Sequence, residues 1–189
     1  VHALFMGGEV LVLEYGDAVV PVFVEEALRP LTAKLNRGDK IKVQFVAQES
    51  PRRPAHLNLN KNAPKPLEVL WSPSTEHDKL ATKEGALVMF PQSPQIIFNV
   101  FAVQVDVGNG IVVEYTLVNF DNPELFKKLR EKCQTAWDAH KATLKNGRNK
   151  LVNPRLYVKA TGKINYIDAN QANPQVLLNS IEDLKIEVR

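Results

Sequence analysis

The chain has little cysteine and no long apolar run. Cys133 is the single cysteine among 189 residues, so an internal disulfide is excluded. One thiol fits a reducing compartment, and we expect the protein to be cytoplasmic. No window approaches the roughly 18 apolar residues that a membrane-spanning helix requires, so we expect no membrane partner. The opening residues VHALFMGGEV have neither a basic start nor a long apolar stretch, so no signal peptide is visible, although one could have been removed before residue 1.

Motifs that bind metals or cofactors, or that carry catalysis, are also missing. The four histidines are scattered, and the sequence has no His-x-x-x-His or Cys-x-x-Cys pair. It has no Gly-x-Ser-x-Gly elbow and no glycine-rich phosphate loop. Adjacent carboxylates such as Glu25 and Glu26 point to opposite faces of a strand and make poor acid–base pairs. We therefore expect no metal, no cofactor and no enzymatic activity.

Cationic charge is present in two segments of a nearly neutral chain. The formal net charge is +3. Residues 29–65 contain nine Lys/Arg and two acids, a net of +7, and residues 127–163 contain eleven and two, a net of +9. The rest of the chain is therefore left with a net charge of −13. Basic segments in an acidic background can create local positive fields.

Alternating apolar residues predict a mostly β protein that also contains helix. Strands are predicted at residues 9–16, 17–26, 40–46, 96–107, 111–120, 155–167 and 183–188. The turn Gly108-Asn109-Gly110 predicts a hairpin, and residues 50–66, with four prolines, predict a loop. Asn122 and Pro123 predict the start of a helix over 123–145. Its apolar stripe includes Cys133 and His140, which are therefore predicted to be core residues.

The order strand, turn, strand, helix, strand occurs twice, and it suggests an internal duplication. A polar stretch at residues 72–85 separates the two occurrences, so we predict domains over 1–84 and 85–189. The sequence is compatible with two small barrels or with one α+β domain that contains the long helix.

In the segment 155–167, RLYVKATGKINYI, apolar residues alternate with polar ones, so the two sets fall on opposite sides of the predicted strand. Leu156, Val158, Ala160, Gly162, Ile164 and Tyr166 fall on one side, and the other side carries Arg155, Tyr157, Lys159 and Lys163. Cations on alternate residues of a strand lie about 6.6 Å apart, close to the phosphate spacing of an extended single strand. An aromatic residue between them offers a base-stacking surface. The alternative is the solvated face of an antiparallel sheet, on which lysines also prevent aggregation.

The segment Val158-Lys159-Ala160-Thr161-Gly162-Lys163-Ile164, followed by NSIEDLKIEV at 179–188, resembles the OB-fold superfamily. Many members carry a similar Val-x-Gly-x-Ile segment before a closing strand. The resemblance covers roughly residues 85–189, and a weaker version covers 1–70; the helix is long for that fold. It implies five-stranded barrels with a helix between the third and fourth strands, which often bind oligonucleotides or oligosaccharides on the sheet face and loops.

These patterns favour a non-enzymatic protein that binds single-stranded DNA or RNA. The predicted contacts are the strand ladder, the loop before it, the basic strand of the first part and the loop that follows that strand. They comprise Arg37, Lys40, Lys42, Arg52, Arg53, Lys145, Arg148, Lys150, Arg155, Tyr157, Lys159 and Lys163. The alternative is a protein-interaction or assembly module on the same β scaffold, which the modest net charge and the proline-rich loops favour.

Overall fold

The computed structural model describes residues 1–16, 18–51, 53–146, 149–166 and 173–189, and for Ser50 and Arg53 it describes the backbone alone. The mostly β class is confirmed. The described chain divides into two compact units, Val1–Thr75 and Glu76–Tyr166 with Asn173–Arg189. The domain boundary predicted at residues 84 and 85 stays a prediction; those two residues lie within a strand of the second unit.

In the described residues of the first unit there are seven strands and one short α-helix. They are β1 (Ala3–Phe5), β2 (Val10–Tyr15), β3 (Ala18–Phe23), α1 (Arg29–Thr32), β4 (Lys40–Val43), β5 (Phe45–Ser50), β6 (Arg53–Leu59) and β7 (Leu67–Trp71). The predicted loop over 50–66 is wrong for its first half, because β6 lies there. Pro54 is tolerated near the start of this strand, where one missing N–H breaks little of the ladder.

A five-stranded sheet and a two-stranded ribbon enclose the core of the first unit. The sheet order is β1-β2-β3-β6-β5, and its one parallel pair joins β3 to β6. The ribbon pairs β4 with β7. The buried core side chains are Leu11, Val22, Val24, Leu35 and Leu59, and Ile41 and Val43 of the ribbon pack against them. One face of the sheet therefore covers the core, and the other face points away from it.

The described part of the second unit contains seven strands and one long α-helix. They are β8 (Leu80–Phe90), β9 (Val100–Asp106), β10 (Val112–Val118), α2 (Pro123–His140), β11 (Leu144–Lys145), β12 (Leu151–Asn165), β13 (Gln175–Leu177) and β14 (Leu184–Val188). The hairpin predicted at Gly108-Asn109-Gly110 is confirmed between β9 and β10, and all three residues have positive φ.

The sheet of the second unit closes into a ring. Its pairings run β8-β9-β10-β13-β12 and return from β12 to β8, and the one parallel pair is β10–β13. β11 and β14 add to β12 outside this ring. Gly162 lets the strands approach closely, because a Cβ at that position would lie 2.2 Å from the carbonyl oxygen of Leu177.

Helix α2 begins where the sequence predicts and ends earlier. The side chain of Asn122 accepts a hydrogen bond from the backbone N–H of Leu125 at 3.0 Å, which caps the first turn. Leu129, Cys133 and Trp137 are buried along one stripe. The predicted end at residue 145 is wrong, because Leu144 and Lys145 pair with β12 as a strand. His140 is also not a core residue: as the last helical residue it is exposed.

Both units use the same pairing order. In each, three antiparallel strands precede a helix, and the last strand of the five inserts parallel to the third. The units differ in the closure of the sheet. The fourth strand of the second unit, β12, pairs with its first, β8, whereas no such pairing joins β5 to β1 among the described residues of the first unit.

Candidate nucleic-acid interface

The alternation predicted for residues 155–165 is confirmed on β12. Leu156, Val158, Ala160, Gly162 and Ile164 are buried inside the ring, while Arg155, Lys159 and Lys163 are exposed. Tyr157 is half-buried on the exposed side. The strand therefore presents its cations along one outward face.

Two lysines of this face are already paired with carboxylates. Lys159 Nζ lies 2.6 Å from Glu84 Oε1, and Lys163 Nζ lies 2.8 Å from Asp78 Oδ1. The hydrogen bond from Lys163 lowers the pKa of Asp78, and the hydrogen bond to Glu84 raises the pKa of Lys159. Glu84 is the residue that faces Lys159 across the β8–β12 pairing. The ladder is therefore a row of alternating charges, and less positive than the sequence of β12 suggests.

Tyr157 has a cationic neighbour on its ring. The guanidinium carbon of Arg189 lies 3.5 Å from the ring centroid, and Arg189 also pairs with Glu187 at 3.7 Å. This cation–π contact occupies one face of the ring. Arg155 is exposed and makes no ion pair with the described residues, so it is the ladder's uncompensated cation.

The predicted basic loop before β12 does not form one cluster. Lys145 is exposed on β11. Lys150 turns toward the sheet, where its Nζ lies 2.8 Å from Glu114 Oε2 and 5.9 Å from the centroid of the Phe90 ring. Arg148 lies outside the described residues. Lys150 thus neutralises the buried carboxylate of Glu114 on β10.

In the first unit, three of the predicted basic residues lie in or just before the β4 strand of the ribbon. Arg37 is half-buried in the turn before β4, and Lys40 and Lys42 belong to β4. Lys42 faces Glu68 across the β4–β7 pairing, and a hydrogen bond from Lys65 lowers the pKa of Glu68. Arg52 lies outside the described residues, and only the backbone of Arg53 is described, at the start of β6.

The outer face of the five-stranded sheet was not predicted as a site. One row of cross-strand neighbours runs across it: Phe5, Val10, Phe23, Asn58 and Val46. Phe5 is 55% exposed and Phe23 is 41% exposed. We call this row and its neighbours His56 and Gln48 the aromatic face. Sequence alternation could not reveal it, because both parities of β3 are apolar: Val20 and Val22 on one side, Pro21 and Phe23 on the other.

A cleft of about 700 Å³ opens on this face between β3 and β6. Phe23 and His56 meet edge to face at its mouth, with ring centroids 5.5 Å apart. The amide of Asn58 donates a hydrogen bond to Gln48 Oε1 at 2.6 Å. The carboxylates that line the cleft, Glu9 and Glu25, each have a cation beside them. The cleft thus combines apolar walls with an aromatic surface and hydrogen-bonding amides.

Other chemically active groups are structural. Burial raises the pKa of the Cys133 thiol to about 12, which makes it unreactive. Tyr115 donates a hydrogen bond to Glu76, which also pairs with Lys83 at 2.9 Å; burial is the main cause of the raised pKa of Tyr115. In the described residues, no group of three or more His, Cys, Asp or Glu side chains is arranged to hold a metal ion. Within the same residues, no helix has the length and apolarity needed to cross a membrane.

No protein-family model matches this chain, and no curated protein or solved structure matches it either.

Proposed function

We propose that the protein is a non-enzymatic, OB-like protein that binds single-stranded DNA or RNA. The OB-like assignment is supported by the shared strand order of the two units. In the second unit, five strands close in the order first, second, third, fifth, fourth, with the helix after the third strand. A helix between the third and fourth of five strands is what the sequence resemblance implies, and the five-stranded sheet of the first unit has the same strand order without the closing pair among the described residues.

The observation that carries the ligand class is the aromatic face. Phe5 and Phe23 are exposed on the same outward sheet surface, one on each side of Val10, and the amide of Asn58 lies next to Phe23. Aromatic side chains on such a surface stack with unpaired bases, each worth about 1–3 kcal/mol. Bases are accessible for stacking in single strands and hidden in a duplex, so this surface favours single strands.

The strand ladder supplies phosphate contacts in this proposal. The Lys159–Glu84 and Lys163–Asp78 ion pairs are exposed to solvent and therefore weak, so a phosphate can compete with either carboxylate. The carboxylates nevertheless oppose the approach of a polyanion. We therefore expect moderate affinity and a shallow dependence on salt. On a single strand, the slope of log K against the logarithm of the salt concentration is roughly −0.7 for each phosphate neutralised.

The test is fluorescence anisotropy with matched single-stranded DNA, RNA and duplex probes across a salt series. We expect a single-stranded probe to bind more tightly than the duplex. The double variant Lys159→Ala/Lys163→Ala should weaken binding and flatten the salt slope. The opposite variant, Asp78→Asn/Glu84→Gln, should tighten binding because it removes the competing carboxylates.

The matched control is Lys127→Ala/Lys128→Ala, which removes the same charge from the exposed side of α2. If both lysine variants lose affinity equally, the ladder has no special role. If neither single-stranded probe binds at low salt, the proposed function is wrong.

A protein-interaction module is the second candidate, and β5 favours it. This strand is the open edge of the five-stranded sheet, and Phe45 and Val46 on it are 51% and 42% exposed. An exposed strand edge is a template for pairing with another chain. A stoichiometric protein partner that survives nuclease treatment, together with absence of oligonucleotide binding, would select this function.

A further inference from the structure

The cleft between β3 and β6 exists because two strands fail to pair along most of their length. The parallel pairing is limited to Val22 with Leu57 and Phe23 with Asn58. Before these residues, Pro21 on one strand and Pro54 on the other line the gap. Proline has no backbone N–H, so neither residue can donate to a ladder between the two strands. The gap is thus built into the sequence of both strands.

The same prolines make an added strand a poor occupant. A peptide that entered between the walls would meet interrupted donors on either side. The walls instead carry the apolar side chains of Val20, Pro21, Pro54 and Ala55, and Phe23 also lines the cleft. Such walls suit a planar, weakly polar group whose faces need no hydrogen bonds.

The polar groups of the cleft suit the edge of a nucleobase. The bond between Asn58 and Gln48 uses one amide hydrogen and one carbonyl oxygen. Asn58 Oδ1 and Gln48 Nε2 are then an acceptor and a donor that the bonds among the described residues leave available. Side-chain amides of Asn and Gln bond the amino group and ring nitrogen of adenine, and cytosine carries the same two groups, whereas thymine has no amino group.

The two carboxylates that line the cleft would repel a nucleotide if they stood alone, but each is paired with a cation. Glu9 Oε2 lies 3.4 Å from Arg29 Nη2, and Glu25 Oε2 lies 3.0 Å from Lys61 Nζ. Each negative charge at the cleft is therefore balanced by a neighbouring cation. A neutral base can therefore enter without meeting an uncompensated carboxylate.

We propose that this cleft receives one unpaired nucleobase of the bound strand, with Phe23 as its stacking surface and the Gln48–Asn58 amide pair bonding its edge, adenine in preference to thymine. This rests on the proposed function, and it adds a defined base site and a base preference to it. A site of this kind fixes the register of the strand, because one base is held in a concave pocket and its neighbours lie on an open face.

The test compares Phe23→Leu with Phe45→Leu. Both positions are exposed phenylalanines of the same unit, and the same substitution keeps apolar bulk while removing the ring. Affinity for single-stranded oligo-adenylate and oligo-thymidylate is measured by anisotropy, together with an oligo-adenylate that carries abasic sites. We expect Phe23→Leu to lose at least about fivefold in affinity, the lower end of one stacked base, and Phe45→Leu to stay within about twofold.

Edge reading is tested separately with Gln48→Ala. It should narrow the preference for adenylate over thymidylate, and binding of the abasic strand should be weak and insensitive to Phe23→Leu. Circular dichroism of each variant checks that the fold is retained.

The outcomes separate the two proposals. If wild-type protein binds strands and Phe23→Leu matches Phe45→Leu, the base site is wrong and the proposed function stands. If Phe23→Leu loses affinity equally for intact and abasic strands, Phe23 supports the fold rather than a base, and the base site is again wrong. If the wild-type protein binds no strand, both proposals fall.

Discussion

Lysines on β12 show how much a charged residue depends on its cross-strand neighbour. From the sequence, Lys159 and Lys163 are two cations on one face, and the structure confirms that placement. It also places Glu84 and Asp78 against them. The outward direction of each lysine follows from the local pattern, whereas its partner depends on the register with a segment about eighty residues earlier. The sequence therefore predicts which face of β12 carries the lysines, but it does not predict the electrostatic potential of that face.

The pairing of Asp78 with Lys163 predicts a measurable titration. The hydrogen bond from Lys163 lowers the pKa of Asp78, so Lys163→Ala should raise it toward the ordinary carboxylate value. Carbon-13 NMR of the side-chain carboxyl follows this directly. Because the folded-state pKa is lowered, the stabilisation from Asp78 is present above the unfolded-state pKa. It is lost as the pH falls through the folded-state value.

Lys159→Ala is the control for this titration, since Lys159 pairs with Glu84 instead. It should leave the pKa of Asp78 near its wild-type value. An unchanged Asp78 titration in Lys163→Ala would show that the ion pair is not formed in solution.

At the scale of elements, the sequence predicts those helix and strand boundaries that depend on adjacent residues. It does not predict those that depend on pairing with a distant strand. The start of α2 at Asn122 and Pro123 is predictable, because capping depends on adjacent residues. Its end is not, because Leu144 and Lys145 leave the helical pattern to pair with β12. Strand β6 was read as loop since Pro51 and Pro54 dominate its local signal. The aromatic face was missed because both sides of β3 are apolar.

The close approach of β12 and β13 predicts that Gly162 does not tolerate a larger side chain. A Cβ there would lie 2.2 Å from the Leu177 carbonyl oxygen and 2.9 Å from the carbonyl carbon. Since these are backbone atoms, the strands would have to separate, and Gly162→Ala should lower the free energy of unfolding by about 2 kcal/mol or more. Urea denaturation monitored by circular dichroism measures this change.

The neighbouring substitution Thr161→Ala is the control, because the Thr161 hydroxyl bonds to Thr82 on the exposed side. Its effect should stay below about 1 kcal/mol. Equal effects for the two variants would contradict the close approach of β12 and β13.

At the scale of the whole molecule, the uneven charge of the chain is largely cancelled within each unit. The acidic remainder of the sequence supplies Glu84, Asp78 and Glu114 to the cations of the second basic segment. It supplies Glu9, Glu25 and Glu68 to those of the first. A linear count of net charge therefore overstates the positive field, since complementary charges meet only when strands pair.

The division into two units predicts that the second folds without the first. All strands of the ring lie within residues 76–189, and Trp137 is buried there as a fluorescent reporter. A fragment of residues 76–189 should unfold cooperatively in urea, with a red shift of Trp137 emission. A shorter fragment, 76–172, is the control; it lacks β13 and β14 and should show no cooperative transition. A non-cooperative 76–189 fragment would mean that the unit depends on the rest of the chain.

The closure between β8 and β12 also has a kinetic consequence. Leu80 pairs with Lys163, so the chain must bring distant positions together before that contact returns any free energy. Folding rates fall with the sequence separation of native contacts, and we expect this unit to be a slow folder. During synthesis, β8, β9 and β10 emerge with their inner apolar faces uncovered and must wait for the strands that complete them. That interval is the period in which the nascent chain is most exposed to aggregation and to proteases.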